Sequence, residues 1–328
     1  MRLPALRQAV AAGAVVILAA AVGTAAAGPG TDGTNGTTAP PRILWGIGDQ
    51  LGPALGSSLY RHGVAHMVTA WFNGPGDLDW MSETDGSAAA GIYAAGGAVE
   101  LVVWLDDDPQ YAISTRFQSD IRLLTRLHKG SGPDYGPLYV VLFTELETYS
   151  GGDPAYRTAL LDAYRRAVVA IHEEYSGARV ALGFGGYGWD GVHDRDLTAY
   201  RDAIAVSDFV TVQQMQPCEG LLTGQDDAAA RVRTSVRQLG RYGKPVMISH
   251  FKLWGDERCQ REAFERFTAD VFTAASLRDL VRDGLFAWGF MADDYINEAS
   301  PRDAAVRRIA TYRAGLRHRG DLPSAGVP

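Results

Sequence analysis

The feature that most constrains this chain is a rhythm. Eight short runs of aliphatic, β-branched and aromatic residues recur between longer segments of helical periodicity. The runs cover 43–48, 65–73, 99–105, 138–146, 179–185, 209–215, 245–251 and 285–291. Most are continuously apolar rather than alternating, the pattern of parallel strands covered on both faces. The spacers carry single apolar stripes. Leu160, Leu161, Tyr164, Val168 and Ile171 share one face of a helix predicted over 157–175. Phe117, Ile121, Leu124 and Leu127 do so over 115–127, and Phe267, Val271, Phe272 and Leu280 over 264–281. Gly63, Gly177, Gly243 and Gly284 stand where helices should stop. Eight such units predict a (β/α)8 TIM barrel as a single domain over 42–318. The competitor is an open doubly wound sheet. Against it, Gly46 and Gly48 lead into Asp49-Gln50 rather than a phosphate cradle.

The flanks read differently. Arg2 and Arg7 precede an apolar stretch of small residues that ends in Ala25-Ala26-Ala27-Gly28. This predicts a signal peptide over 1–27 and an exported, extracellular protein. A membrane anchor is the competing reading, because the stretch approaches spanning length. Residues 28–41 are Gly, Thr, Asn and Pro, expected as a flexible leader, and 319–328 as a disordered tail. The formal charge of −7 argues against collecting nucleic acid or anionic lipid by bulk attraction. A monomer without membrane attachment after cleavage is expected. The cysteine pair, Cys218 and Cys259, predicts one disulfide in an exported chain. Such a bridge contributes roughly 4 kcal/mol in the chain-entropy picture.

In a barrel of this kind, chemistry gathers where strands end at their carboxyl side. There this sequence places Asp49-Gln50, then Trp71, Asn73, Asp77 and Asp79, then Trp104 and Asp106-Asp107-Asp108. Further on come Thr144-Glu145-Leu146-Glu147, Tyr187, Trp189, Gln213, Gln214, His250, Lys252, Trp254 and Asp293-Asp294. All seven Trp residues, Trp288 among them, lie on the runs or in the loops that follow. Indole faces stack on the C–H faces of sugar rings while carboxylates and amides take the hydroxyls. Trp71, Asn73, Trp104, Tyr187, Trp189, Gln214, His250, Trp254 and Trp288 are therefore expected to hold a carbohydrate. Glu145 follows a fully apolar run, so a hydrophobic floor should raise its proton affinity toward that of a general acid. Glu147 would share its face if the strand continued.

A Glu at the rim of strand four, preceded by a polar residue, resembles the acid/base of the TIM-barrel glycoside hydrolases related to cellulases and mannanases. In that group the acid/base follows Asn, and a second Glu closes strand seven as nucleophile. Here Thr144 stands in the place of the Asn, and strand seven ends in Ser249-His250 with no carboxylate before Asp256. The resemblance implies a glycosidase with Glu145 as acid. The second carboxylate has to come from elsewhere: Asp106, Asp293 or Glu147, with Asp108 expected to cap a helix ahead of Pro109.

Other chemistries leave weaker traces. No G-x-S-x-G elbow or phosphate loop is present. His62 and His66 are interrupted by Gly63, so neither a catalytic metal nor a cofactor is expected. A barrel that only binds glycans, or a metal-assisted hydrolase or deacylase, are the alternatives. The cysteines should pin two neighbouring rim loops and so fix Trp254 beside the cleft.

Overall fold

A computed structural model describes residues 40–105, 108–130, 135–147 and 153–314. The expected signal peptide, nearly all of the leader, the tail and Asp106 lie outside these residues.

Eight parallel strands close into a barrel, in sequence order around the ring. They are β1 (Leu44–Ile47), β2 (Met67–Phe72), β3 (Ala98–Val103), β4 (Leu138–Leu142), β5 (Arg179–Phe184), β6 (Phe209–Pro217), β7 (Val246–Trp254) and β8 (Leu285–Phe290). β1 closes on β8 through four register pairs, Leu44 with Ala287 to Ile47 with Phe290. Helices such as Leu78–Ala94, Thr115–His128, Pro154–Glu174, Ala228–Gly240 and Glu257–Val271 follow the strands. Ile43 pairs with Arg313 at the amino end of the barrel, so the two described chain ends meet there. No described helix is long and apolar enough to cross a membrane.

Alternation along each strand produces two cores. Outward residues such as Val99, Leu101 and Val103 pack under the helices. Inward residues at the amino end, including Leu44, Met67, Tyr139, Phe209 and Phe286, fill the lumen. Trp45 and Trp288 both belong to the outer core. Trp288 is 0% exposed and packs edge-on to Phe272 at 5.0 Å. The expectation that Trp288 contacts substrate is therefore corrected: its strand position turns it toward the helices, away from the mouth.

Two expected elements end early. The helix predicted over 264–281 is two, Glu257–Val271 and Ala274–Arg282. Thr273 interrupts it by accepting the Ser276 N–H as an N-cap, while Phe272 turns inward onto Trp45. The strand predicted to Leu146 stops at Leu142, because Phe143 and Glu145 take left-handed backbone angles, φ 56° and 61°. Side chains rarely adopt that region, and such strain concentrates at functional sites.

Above the apolar floor the lumen turns polar. Glu100 on β3 is 0% exposed. One of its oxygens accepts the Thr69 hydroxyl at 2.8 Å. Its carboxyl reaches across to β8, where a Cβ on Gly289 would sit 3.5 Å from Oε2. His250 is also sealed in, its ring 4.3 Å from that of Trp71. A β-bulge puts it there: Ser249 and His250 together oppose Gln213 between the pairs Val212–Ile248 and Gln214–Phe251. Burial pushes the Glu100 carboxyl up to about 8 and the His250 imidazole down to about 3.

These shifts set opposite slopes of stability against pH. Glu100 binds its proton more tightly folded than unfolded. Its contribution is complete below pH 4.5 and is lost as pH rises toward 8. His250 resists protonation when folded, so its contribution is complete above pH 6.5 and is lost as pH falls toward 3. Glu100→Gln should therefore flatten the fall in stability between pH 6.5 and 8, by up to about 1 kcal/mol per pH unit. Denaturant titrations at several pH values test this; an unchanged alkaline slope contradicts it.

Candidate functional site

The carboxyl ends of the strands enclose a cleft of ≈ 400 Å³. Asp49 and Gln50 line it from β1, Trp71, Asn73, Asp77 and Trp80 from β2, and Trp104 from β3. Glu145 enters from β4, Gln213 and Met215 from β6, Lys252 and Trp254 from β7, and Met291 from β8.

Glu145 owes its place to the turn that ends β4. With φ positive at both Phe143 and Glu145, the chain folds over the barrel rim instead of extending. Phe143 anchors this turn beneath the helices against Phe117, ring centroids 5.4 Å apart. Glu145 is half-buried in the cleft wall. A Cβ on Gly185, at the exit of β5, would come within 3.3 Å of its Cγ, so a side chain there would press the Glu145 side chain aside by a few tenths of an ångström. Tyr187 is near enough to feel the carboxylate. Partial burial, then the charge of Glu145, push its phenol up to about 12.

Glu147 does not share the cleft. Because the strand ends at Leu142, the two acids do not share a strand face; both reach the exit of β5, where a Cβ on Gly185 would lie 3.3 Å from Glu145 Cγ and 3.4 Å from Glu147 Oε1. Its Oε1 accepts the Gly185 N–H and an Arg195 N–H, each at 2.7 Å. Burial pushes this carboxyl up, against the pull of Arg195 and the Gly185 amide. The Arg195 guanidinium also lies 4.6 Å over the indole of Trp189. That indole is only 1% exposed and donates to Gln238 at 2.8 Å. Trp189 is thus a buried pillar of the β5 loop, not the stacking platform expected from its glycine-flanked position.

Two further expectations shift by one side of a strand. Gln214 is buried facing Gly186, and the amide that lines the cleft is Gln213. Phe209, Thr211 and Gln213 share the inward side of β6 by simple alternation. His250 lies beneath Trp71, not in the cleft wall, and the bulge delivers Lys252 to the rim instead. Trp71, Asn73, Trp104 and Trp254 do line the cleft, and Tyr187 stands at its edge with its ring parallel to that of Trp254 within 5° at 6.2 Å.

Among the expected acids, Asp293 pairs through Oδ1 with Lys252 Nζ at 3.3 Å. Asp77 braces the β2 loop: it accepts the Asn73 N–H at 2.7 Å and the Trp80 indole N–H at 3.1 Å. Asp108 caps the helix Pro109–Ala112 through the Tyr111 N–H. Asp49 stands at the β1 exit, its proton affinity raised by partial burial and by Asp293, with Lys252 opposing. Sequence reasoning noted Asp49, Lys252 and Gln213 at the rim without choosing them, and passed over Glu100. A lone acid inside the apolar run Ala98–Val103 was the available signal for Glu100.

Cys218 and Cys259 form a disulfide between the exit of β6 and the helix Glu257–Val271. Gly255, at φ 135°, packs directly on the bridge, and a Cβ there would collide with Cys218 Sγ. The bridge therefore seats the residue that follows Trp254. Among the described residues, the one group spaced to hold a metal is Cys218, Glu219 and Cys259, whose two sulfurs are bonded to each other.

No family model matches the chain, and no curated protein matches it. Solved structures do. A modular endo-β-1,4-mannanase of glycoside hydrolase family 26 from Cellulomonas fimi superposes with a TM-score of 0.59 at 15% identity, over 86% of this chain and 75% of that one. The catalytic domain of a family 26 endo-β-1,4-mannanase from a Bacillus species gives 0.51 at 12%, over 84% and 88%. A psychrophilic family 10 endo-β-1,4-xylanase gives 0.53 at 11%, over 82% and 96%. The chain thus shares the (β/α)8 barrel fold of these enzymes. Its own rim departs from the expected pattern in carrying a lysine on strand seven.

The Glu147–Arg195 pair is mostly buried, with side chains 12% and 18% exposed. A double-mutant cycle with Glu147→Gln and Arg195→Gln should return a coupling of about 1–3 kcal/mol in thermal denaturation. A coupling near zero, typical of surface ion pairs, contradicts the bracing role.

Proposed function

We propose that this protein is an exported, monomeric glycoside hydrolase acting on a poly- or oligosaccharide, with Glu145 as the acid that protonates the departing oxygen. The observation that carries this reading is the left-handed turn that lifts Glu145 out of β4 into an indole-lined cleft. The fold likeness to mannanases and a xylanase supports it. Trp71, Trp80, Trp104 and Trp254 supply faces for sugar rings, and Asn73, Gln50 and Gln213 supply donors and acceptors for hydroxyls.

A second reading has its own observation. Lys252 occupies the strand-seven rim and engages Asp293, so a nucleophilic carboxylate is missing from that strand. A barrel that holds glycans without cutting them fits that feature.

One screen separates the two. Purified protein is incubated with mannans, xylans, glucans and their oligosaccharides, and reducing ends are counted. Release of reducing ends that falls about 10³-fold in Glu145→Gln, with binding retained, supports the hydrolase. Binding without release supports the lectin-like reading, and full activity in Glu145→Gln removes the acid role. Activity should also survive EDTA, whereas its loss with chelator identifies metal-assisted hydrolysis.

A further inference from the structure

We propose that Asp49, at the exit of β1, is the second catalytic carboxylate, acting as the base for an attacking water in an inverting hydrolysis. The proposal rests on the reading of Glu145 as acid. Three described carboxylates line the cleft: Asp49, Asp77 and Glu145. Asp77 is committed, with one oxygen on the amides of Asn73 and the other on the Trp80 indole. Asp293 is held by Lys252. Asp49 is exposed at the cleft, where its carboxylate can accept a proton from a bound molecule.

Its position is fixed from below. Gly48 has φ 141°, and a Cβ there would meet Thr69 O at 2.8 Å, so β1 runs tight against β2 at this level. The carbonyl of Asp49 then accepts the Trp71 N–H at 3.0 Å. The acid and the indole that floors the cleft are thereby locked together. Asp49 and Glu145 project from strands three apart in a ring of eight. Adjacent strands are separated by about 4.8 Å, so three intervals set the two acids on facing sides of the mouth. Inversion uses carboxyls on opposite sides of the sugar, about 6.5–9.5 Å apart, against roughly 5 Å for a nucleophile, and facing positions on the rim suit the former.

The step balances without a further reactant. Glu145 gives its proton to the leaving oxygen, which keeps the electron pair of the broken C1–O bond. Water forms the new C1–O bond from the opposite face, and its proton passes to Asp49. Solvent then returns a proton to Glu145 and removes one from Asp49. The Lys252–Asp293 pair beside Asp49 tunes this base. Partial burial, then the charge of Asp293, favour its protonated form, and Lys252 restrains them.

The test is the anomeric configuration of the first-formed product, read by ¹H NMR on whichever glycan the wild type cleaves, together with Asp49→Asn. Inversion, with kcat down about 10³-fold in Asp49→Asn, supports the proposal when melting temperature and oligosaccharide Kd are unchanged. Retention overturns it, as does an Asp49→Asn variant whose kcat stays within tenfold. In that case a dead Glu145→Gln still leaves the hydrolase reading standing; absence of turnover on every glycan removes both. A pH profile gives a second check. The charged groups facing Asp49 are Asp293 and Lys252, with Asp77 and Glu145 in the same cleft. Asp293→Asn should move the acidic limb of kcat/KM to lower pH, because a repelling charge is gone. An unmoved limb overturns the tuning role.

Discussion

Closure of β1 onto β8 is the constraint from which the rest follows. An open sheet would leave two unsatisfied edges and a solvated face. The closed ring instead gives every strand an inside and an outside, and alternation assigns each side chain to one of them. Apolar residues fill both the lumen floor and the shell beneath the helices. Above that floor the inward positions become polar, and at the carboxyl ends eight exits meet over one depression. The cleft is a product of ring geometry before it is a product of any single residue.

The lumen is not uniformly greasy, and this has energetic meaning. Glu100 and His250 are buried with little hydrogen bonding, so each is held in its uncharged form. Gly289 on β8 faces the Glu100 carboxyl, and its lack of a side chain lets the Ser249 carbonyl of the β7 bulge pack against it. Such a layer costs stability at either pH extreme, which a purely aliphatic lumen would avoid. Its place directly under Trp71 means that the floor of the cleft is supported by polar groups rather than by packing alone.

The strands were legible because parallel strands buried on both faces are compositionally distinct, and the eight runs match the eight strands to within a few residues at most ends. Strand four was the exception. Its apolar run continues through Phe143 to Leu146, and nothing in composition announces the left-handed angles that stop it at Leu142. The same gap misplaced Glu147. At the rim, knowing that a residue follows a strand gave the neighbourhood but not the facing. Gln213 against Gln214 is a question of parity, and Lys252 against His250 depends on a bulge that costs one residue of register. Trp189 failed for another reason: a glycine-flanked indole reads as exposed, yet Arg195 from its own loop and Gln238, distant in sequence, close over it. Cleft indoles on β2, β3 and β7 needed no such long-range partner and were found.

The pairing of Ile43 with Arg313 brings the described ends of the barrel together at the pole opposite the cleft. A linker, bead or solid support attached at that pole would hold the molecule with its mouth outward, leaving the opening clear. The architecture is suited to tethering from the first residue of its sheet to the last.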